Sequence, residues 1–205
     1  MEFVKKYLKK VPSAVPIVRL LKGQPPVYGP PREWVLKNIA SGSVGAEVGV
    51  YRGEFAKEII SKCSPYRLHL IDPWEYVKDY ENSWYGGGQM SQKKMDEKYD
   101  FVIDRFKEKI ENGEVVVHRK RSNEAAEEFD DEYFDWVYID GNHMYEFVIE
   151  DLKLFWPKVK EKGIIMGDDY GREGWWNNGV TKAVDEFVSN RDINFRSFGD
   201  QYIIG

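Results

Sequence analysis

The feature that most limits the fold of this sequence is a repeated alternation of short apolar runs with helical segments. Five apolar runs are predicted to be β-strands, at 43–49, 67–72, 114–118, 134–140 and 163–168. The early runs are almost wholly apolar, which is typical of strands in a parallel sheet that helices cover on both faces. The alternation therefore predicts an α/β fold with a doubly wound, mostly parallel sheet.

Helices are predicted between the strands, at 33–40, 54–63, about 91–111, from Ser122 as cap residue, over 144–160 and over 179–190. In the helix at 144–160, the residues at helical spacing on one face are Val148, Leu152, Phe155 and Val159, and Pro157 should end the helix early. The last two runs, INFRSF and QYIIG, flank Gly199 and Asp200 and predict a closing hairpin. The sheet should then have seven strands, with a C-terminal β-hairpin at one edge.

The 205 residues suit one domain, predicted at 33–205, after a basic arm at 1–32. The prolines of the arm prevent a long helix, so we expect a packing or dimerisation arm and leave a homodimer open. A net charge of −5 argues against a dedicated nucleic-acid binder. No run of about 18 apolar residues is present, which excludes a membrane span. The single cysteine, Cys63, is expected to pack in the core, and a cytoplasmic protein is the simplest prediction.

Glycines follow the first predicted strand in the sequence AEVGVYRGEF, which contains Glu47, Gly49 and Gly53. The spacing E-x-G-x-x-x-G differs from the G-x-G-x-x-G of dinucleotide folds. Glycine lets a ligand approach the main chain, and an acid here favours an ammonium group over a pyrophosphate. Asp72 ends the second strand, where a carboxylate can bind the hydroxyls of a ribose; the alternative is that Asp72 and Pro73 only start a turn. Together these residues favour a nucleoside ligand with an amino-acid arm.

At this point the chain, over about 34–205, resembles the class I S-adenosylmethionine-dependent methyltransferases, which have a Rossmann-like fold. The resemblance implies that Glu47 and Gly49 face the methionine end of the cofactor, with Tyr51 and Gly53 in the same loop. It also implies that Asp72 holds the ribose and that Ser122 lies near the adenine. Arg121 stands where many members of the family carry an acidic or small residue.

Acidic residues also end the fourth and fifth strands, in IDGNHMYE and GIIMGDDY. Neighbouring strands lie about 4.8 Å apart, so Asp140, Asp168 and Asp169 should converge and repel one another unless a cation sits between them. Oxygen ligands alone suit a hard cation, Mg²⁺, with Ca²⁺ and Mn²⁺ as alternatives. The other interpretation is that these aspartates are turn formers and helix caps.

The motifs I-D-G-x-H-x-Y-E and G-D-D-Y are similar to those of a narrower group, the metal-dependent O-methyltransferases that modify sugars of macrolide and aminocoumarin products. The resemblance implies that Asp140, Asp168 and Asp169 bind magnesium and that Asp140 also acts near the cofactor as base. His143 could accept the proton or orient the acceptor, or it could be a helix-start histidine bonded to backbone. The expected acceptor is a hydroxylated small molecule, either a sugar, a phenol or a polyketide glycoside.

Two loops rich in aromatic residues should flank the same site. One carries Trp74, Tyr76, Tyr80, Trp84 and Tyr85 before Gly86–Gly88, and the other carries Trp175 and Trp176. Aromatic rings there suit a sugar or aromatic acceptor, and the glycines could be hinges of a lid; the alternative is that some rings only complete the core. His69 and His118, inside strands, are expected to pack.

Two other classes remain open at this stage. A nucleotide-linked oxidoreductase on a similar sheet is disfavoured by the E-x-G-x-x-x-G spacing. A catalytically silent binding module that retains the fold is disfavoured by Glu47, Asp72 and the three aspartates together.

Overall fold

The structure is a computed structural model in which residues 31–78, 85–87 and 90–205 are described. Most of the predicted arm, together with Tyr80, Trp84 and Gly88, lies outside the described residues. The strands are β1 (Val44–Val48), β2 (Arg67–Ile71), β3 (Val115–His118), β4 (Phe134–Ile139), β5 (Val159–Gly167), β6 (Phe195–Phe198) and β7 (Gln201–Ile204). The helices are α1 (Pro31–Leu36), α2 (Glu54–Cys63), α3 (Gln92–Arg105), α4 (Lys107–Glu111), α5 (Ser122–Ala126), α6 (Tyr145–Phe155) and α7 (Gly179–Ser189).

These strands form one seven-stranded sheet in the order β3-β2-β1-β4-β5-β7-β6. Strands β1 to β5 pair in parallel with one another, and β7 runs antiparallel to both β5 and β6. The chain leaves β1 toward β2 on one side and meets β4 on the other, so the switch point of the sheet lies at β1 and β4. The prediction of a doubly wound, mostly parallel sheet with a closing hairpin is confirmed.

Each face of the sheet is covered by a separate apolar layer. On one face Trp136 and Tyr138 of β4 pack with Phe55 of α2, and on the other Val137 and Ile139 of β4 pack with residues of α6 and α7. The alternation of side chains along β4 produces this division. Gly45 is required on the first face, because a Cβ there would lie 2.1 Å from the Trp136 ring.

Three predicted elements need correction. The first helix covers Pro31–Leu36 instead of 33–40, and the helix predicted at 91–111 is interrupted at Phe106, which is buried against Gly53. The fifth strand begins at Val159 instead of 163, because α6 has ended before Pro157 and the backbone of Phe134 then pairs with Lys158 and Val159. Val159 therefore belongs to the sheet and not to the apolar face of α6.

The described part of the chain contains no helix that is both long and apolar enough to cross a membrane.

Candidate functional site

The loop after β1 turns sharply against the end of β4. Gly49 has a φ of +90°, and a Cβ on it would lie 2.2 Å from the carbonyl oxygen of Asp140. Tyr51 and Gly53 also have left-handed backbone conformations, at φ of 52° and 71°. The predicted cofactor loop and the first predicted metal ligand are therefore in direct backbone contact, which only glycine at position 49 permits.

Glu47 lies beneath this loop with its side chain removed from solvent. It is 2% exposed, and its Oε2 atom has no hydrogen-bond partner among the described residues. Burial, followed by the charge of nearby Asp140, raises the pKa of Glu47 well above its usual range. A buried acceptor without a donor is costly to a folded protein, and such a group is a candidate for ligand binding.

Asp72 fixes the shape of the same loop. Its Oδ2 atom accepts the backbone N–H groups of Val50 and Tyr51, each at 2.9 Å, and the hydroxyl of Tyr85. Its Oδ1 atom accepts the N–H of Trp74 at 2.7 Å, which is the turn that the alternative interpretation proposed. Burial raises the pKa of Asp72, although these hydrogen bonds act to lower it. Asp72 therefore stabilises the turn, and its carboxylate could also accept from a ligand at the position where Tyr85 now lies. Its binding to a ribose stays a prediction.

Ser122 is not the cap residue of α5, and that prediction is wrong. The helix starts at Ser122 itself, and Arg121 precedes it as the cap, its backbone N–H donating to Glu124 at 3.2 Å. The side chain of Ser122 instead hydrogen-bonds the buried carboxyl of Asp151 on α6. Burial raises the pKa of Asp151 to about 7, and the bond from Ser122 acts against that rise. The predicted proximity of Ser122 to an adenine stays a prediction.

Asp151 was not among the predicted residues, although its position in the sequence carries a signal. The residue immediately precedes Leu152 and lies three positions after Val148, on the helical face whose other members were predicted to be apolar. A charged residue in such a position is almost never buried unless it has a partner, and here the partner is Ser122.

Arg32 lies between the aspartates that end β4 and β5. Its Nη2 atom is 2.9 Å from Asp140 Oδ2 and 2.7 Å from Asp168 Oδ2, and its guanidinium carbon lies 4.8 Å from the centre of the Phe55 ring. The sequence predicted that a positive group must separate these carboxylates, and Arg32 of the same chain is such a group. Burial acts to lower the pKa of Arg32, but Tyr138, Asp140 and Asp168 raise it overall, so the guanidinium stays charged.

His143 bridges the other predicted aspartates. Its Nδ1 atom is 3.1 Å from Asp169 Oδ2 and its Nε2 atom is 3.5 Å from Asp140 Oδ1, and its ring packs edge-on against Trp176. Burial acts to lower the pKa of His143, but the hydrogen bond to Asp140 and the charges of the aspartates raise it overall. Contacts with carboxylates on both sides distinguish His143 from a histidine that is bonded to backbone.

The closing hairpin contributes groups that the sequence did not indicate. Gln201 is 1% exposed; its amide donates to Asp168 Oδ1, and its carbonyl oxygen accepts the Tyr138 hydroxyl at 2.9 Å. Asp200 lies beside it, paired with Arg172 at 3.1 Å. No local pattern indicates these residues, because it is the antiparallel pairing of β7 with β5 that places the hairpin tip beside Asp168.

The carboxylates form two overlapping groups that could hold a metal ion. The ligand atoms of Asp140, His143 and Asp169 lie within 4.8 Å of one another, and so do those of Asp168, Asp169 and Asp200. A set made mainly of carboxylate oxygens fits a hard divalent cation in its chemistry. The Asp140 and Asp168 oxygens that face each other are contacted by Arg32, so the predicted ligands converge around a guanidinium.

The two aromatic loops that were predicted to flank the site do so only in part among the described residues. Trp74 is fully buried and donates from its indole to the carbonyl of Tyr51 at 2.7 Å, which supports the alternative that it completes the core. Trp175 is 41% exposed and packs against Trp176, whose ring in turn contacts His143. His69 and His118 pack as predicted, with their ring nitrogens 2.9 Å apart and Phe129 against both rings.

The comparison with protein families assigns the class of this protein. A family model described as a methyltransferase domain matches residues 46–170, from β1 through the Asp168–Asp169 pair. The chain belongs to this methyltransferase family. The prediction of a class I methyltransferase is thereby confirmed, whereas the narrower resemblance to sugar O-methyltransferases is not.

Solved structures of low sequence identity to this chain have the same fold. A Corynebacterium glutamicum protein is 11% identical, with 99% of this chain and 95% of that chain covered at a TM-score of 0.60. A Staphylococcus aureus protein described as a caffeoyl-CoA O-methyltransferase is 14% identical, with 98% of each chain covered at a TM-score of 0.54. A Streptococcus mutans protein described as a methyltransferase, solved in complex with SAH, is 8% identical over 87% of this chain and 98% of that chain, at a TM-score of 0.57.

Among curated proteins, an uncharacterized protein of Acanthamoeba polyphaga mimivirus is 38% identical over 56 residues. The match covers 27% of this chain and about a quarter (25%) of that relative.

Proposed function

We propose that this chain is an S-adenosylmethionine-dependent O-methyltransferase that acts on a hydroxyl group of a small molecule. The observation that carries the proposal is the backbone contact between Gly49 and Asp140. It places the loop proposed for the methyl donor next to the carboxylates and the imidazole proposed for the acceptor hydroxyl. Methyl transfer requires the two reactants in line and in contact, so positioning supplies much of the rate.

The cofactor would lie along the loop from Glu47 to Gly53. The unpartnered Oε2 of Glu47 would accept from its ammonium group, and the left-handed turns at Gly49 and Gly53 would shape the loop around the cofactor. Asp72 would bind the ribose hydroxyls once Tyr85 has moved from its carboxylate. When bound, S-adenosylmethionine supplies the electrophilic methyl group.

Asp140 is the better candidate for the residue that takes the proton from the acceptor. Both ring nitrogens of His143 face carboxylates, which favours an imidazole that keeps both of its protons and therefore orients groups instead of accepting a proton. Burial raises the pKa of Asp140, and the neighbouring charge of Asp168 adds to the rise, although the hydrogen bond from His143 lowers it. A carboxylate with a raised pKa is a stronger base.

The same proposal includes a divalent cation, Mg²⁺, held by Asp140, Asp168 and Asp169. Asp140 and Asp168 follow adjacent strands, Asp169 belongs to both candidate groups, and a set of carboxylate oxygens suits a hard cation. When bound, such a cation lowers the pKa of a coordinated hydroxyl. The acceptor class that fits best is a ring with vicinal hydroxyls, a sugar or a phenol, because Trp175 and Trp176 offer ring surfaces beside His143.

The first test is calorimetric titration of the folded chain with S-adenosylhomocysteine. Binding in the micromolar range is expected for the wild type, with at least a tenfold loss in Asp72→Ala. Absence of binding to folded protein would contradict the cofactor proposal and would favour a silent module that keeps only the fold.

The second test is methyl transfer to catechol and hexose acceptors, followed by mass spectrometry of the product. Asp168→Ala and Asp169→Ala are expected to abolish transfer while leaving S-adenosylhomocysteine affinity nearly unchanged. Full turnover in excess EDTA would remove the metal from the proposal and leave the cofactor part intact.

A further inference from the structure

Arg32 contacts the proposed metal site with a single atom. The same Nη2 nitrogen lies 2.9 Å from Asp140 Oδ2 and 2.7 Å from Asp168 Oδ2. The two carboxylates end neighbouring strands, and this nitrogen is the positive group between them. It therefore occupies the position in which a bridging cation would have to bind.

The remaining oxygens of these two aspartates are already engaged. Asp140 Oδ1 faces His143, and Asp168 Oδ1 accepts from the Gln201 amide and from the backbone N–H of Asp169 at 2.8 Å. A cation that bridges the two strand ends therefore needs the Oδ2 atoms that now contact Arg32.

The carboxylates are fixed more firmly than the arginine. Asp140 directly follows β4 and donates its backbone N–H to Val48 at 2.8 Å, and the side chain of Asp168 is 11% exposed. The side chain of Arg32 is 39% exposed and reaches the site from the first turn of α1. Only the side chain of Arg32 makes these contacts, so the guanidinium can leave without breaking a backbone hydrogen bond of the sheet.

We infer that Arg32 is a tethered counter-ion of the strand-end aspartates, and that a divalent cation enters the site by displacing it. The inference rests on the proposed metal site and adds that the chain carries its own competitor for that site. While Arg32 holds the place, the carboxylates remain neutralised and close together. Asp140 and Asp168 would hold a divalent cation in its place, and the partial exposure of Arg32 would let the guanidinium swing outward.

The test is the affinity of the full chain for Mn²⁺, used as a spectroscopic probe for Mg²⁺ and measured from the EPR signal of the free ion. Arg32→Gln removes the competitor and is expected to bind Mn²⁺ about tenfold more tightly than the wild type, a change of ~1.4 kcal/mol. Arg32→Lys keeps a cation and should stay within about threefold of the wild type. A second neutral variant, Arg32→Met, should also bind Mn²⁺ about tenfold more tightly than the wild type, and it keeps the test decisive if Arg32→Gln does not fold.

Arg67→Gln is the matched control for net charge. Like Arg32, Arg67 packs over an aromatic ring, that of Tyr66. It donates to the backbone carbonyl of Gly113 and lies at the start of β2, at the opposite end of the parallel strands from the aspartates. This variant should bind Mn²⁺ with wild-type affinity. Asp168→Asn should lose the binding and so shows that the titration reports this site.

The outcomes separate the inference from the proposal on which it rests. Equal Mn²⁺ affinity of the wild type, Arg32→Gln and Arg67→Gln would leave the metal site standing and overturn the role of Arg32. Weaker binding in Arg32→Gln would also overturn it, because Arg32 would then support the site instead of competing for it. If neither the wild type nor Arg32→Gln binds Mn²⁺, the metal site and the inference both fall, whereas the S-adenosylhomocysteine titration still decides the methyltransferase proposal.

Discussion

The hydroxyl of Tyr85 donates a hydrogen bond to the carboxylate of Asp72. In the proposed complex the same carboxylate binds a ribose hydroxyl, so Tyr85 occupies a position that the cofactor needs. The Asp72 oxygen concerned also accepts two backbone N–H groups, from Val50 and Tyr51, which keep it in place when Tyr85 leaves.

Tyr85→Phe should therefore bind S-adenosylhomocysteine more tightly than the wild type. A hydrogen bond that must be displaced contributes about 1 kcal/mol, which corresponds to roughly a fivefold gain in affinity by calorimetry. Tyr76→Phe is the control, since the Tyr76 hydroxyl bonds the Gly87 carbonyl in the same loop and does not contact Asp72. A loss of affinity in Tyr85→Phe would instead make the hydroxyl part of the bound state.

Glu47→Gln should make the protein more stable and less able to bind its cofactor. The folded state raises the pKa of Glu47, so its contribution to stability is fully present below pH 4.5 and is lost as the pH rises. A neutral amide avoids that loss. We expect the unfolding free energy of Glu47→Gln, measured in urea, to exceed that of the wild type by ~1–2 kcal/mol at pH 8 and by less at pH 5. The affinity for S-adenosylhomocysteine should fall at least tenfold. A variant that binds normally would show that Glu47 is only a structural acid.

Gly49→Ala should destabilise the protein more than the same change at Gly113. Both glycines have a left-handed backbone, with φ of 90° and 80°. A Cβ at Gly49 meets the backbone of Asp140 at 2.2 Å, whereas at Gly113 it meets nothing within 4 Å. Gly113→Ala should lower the unfolding free energy by about 1–2 kcal/mol because of its backbone conformation alone. Gly49→Ala should lower it by ~2 kcal/mol more, and it should also lose cofactor binding. Equal losses in urea unfolding would argue against the close approach.

Asp151→Asn should stabilise the protein at alkaline pH and change little in acid. The folded state raises the pKa of Asp151 from 3.8 to about 7, so its stabilising effect is complete below pH 3.8 and is lost as the pH rises through 7. The change in unfolding free energy caused by Asp151→Asn should be ~4 kcal/mol more favourable at pH 8.5 than at pH 4. Glu146→Gln, an exposed acid in the first turn of the same helix, is the control. A difference between wild type and Asp151→Asn that does not vary with pH would contradict the buried acid.

Local sequence patterns were sufficient for most of the fold. The apolar run that becomes β4, the helix Glu54–Cys63 and the hairpin around Gly199 and Asp200 all follow from the period of apolar residues and from turn residues. The boundaries that failed, at Phe106 and at Val159, depend on what each residue packs against or pairs with elsewhere in the chain. Periodicity contains no information on such partners.

For the candidate site, the sequence by itself determined which acidic residues and glycines end the parallel strands, because those ends must meet at one edge of the sheet. It also determined that the converging aspartates require a positive neighbour. Only the tertiary structure decided that this neighbour is Arg32, 136 residues before Asp168 in the chain, and that Gln201 supports the same carboxylate. The physical reason is that charge balance in a buried cluster depends on which side chains the packing brings within about 3 Å, and this depends on the docking of α1 and the β6–β7 hairpin against the sheet.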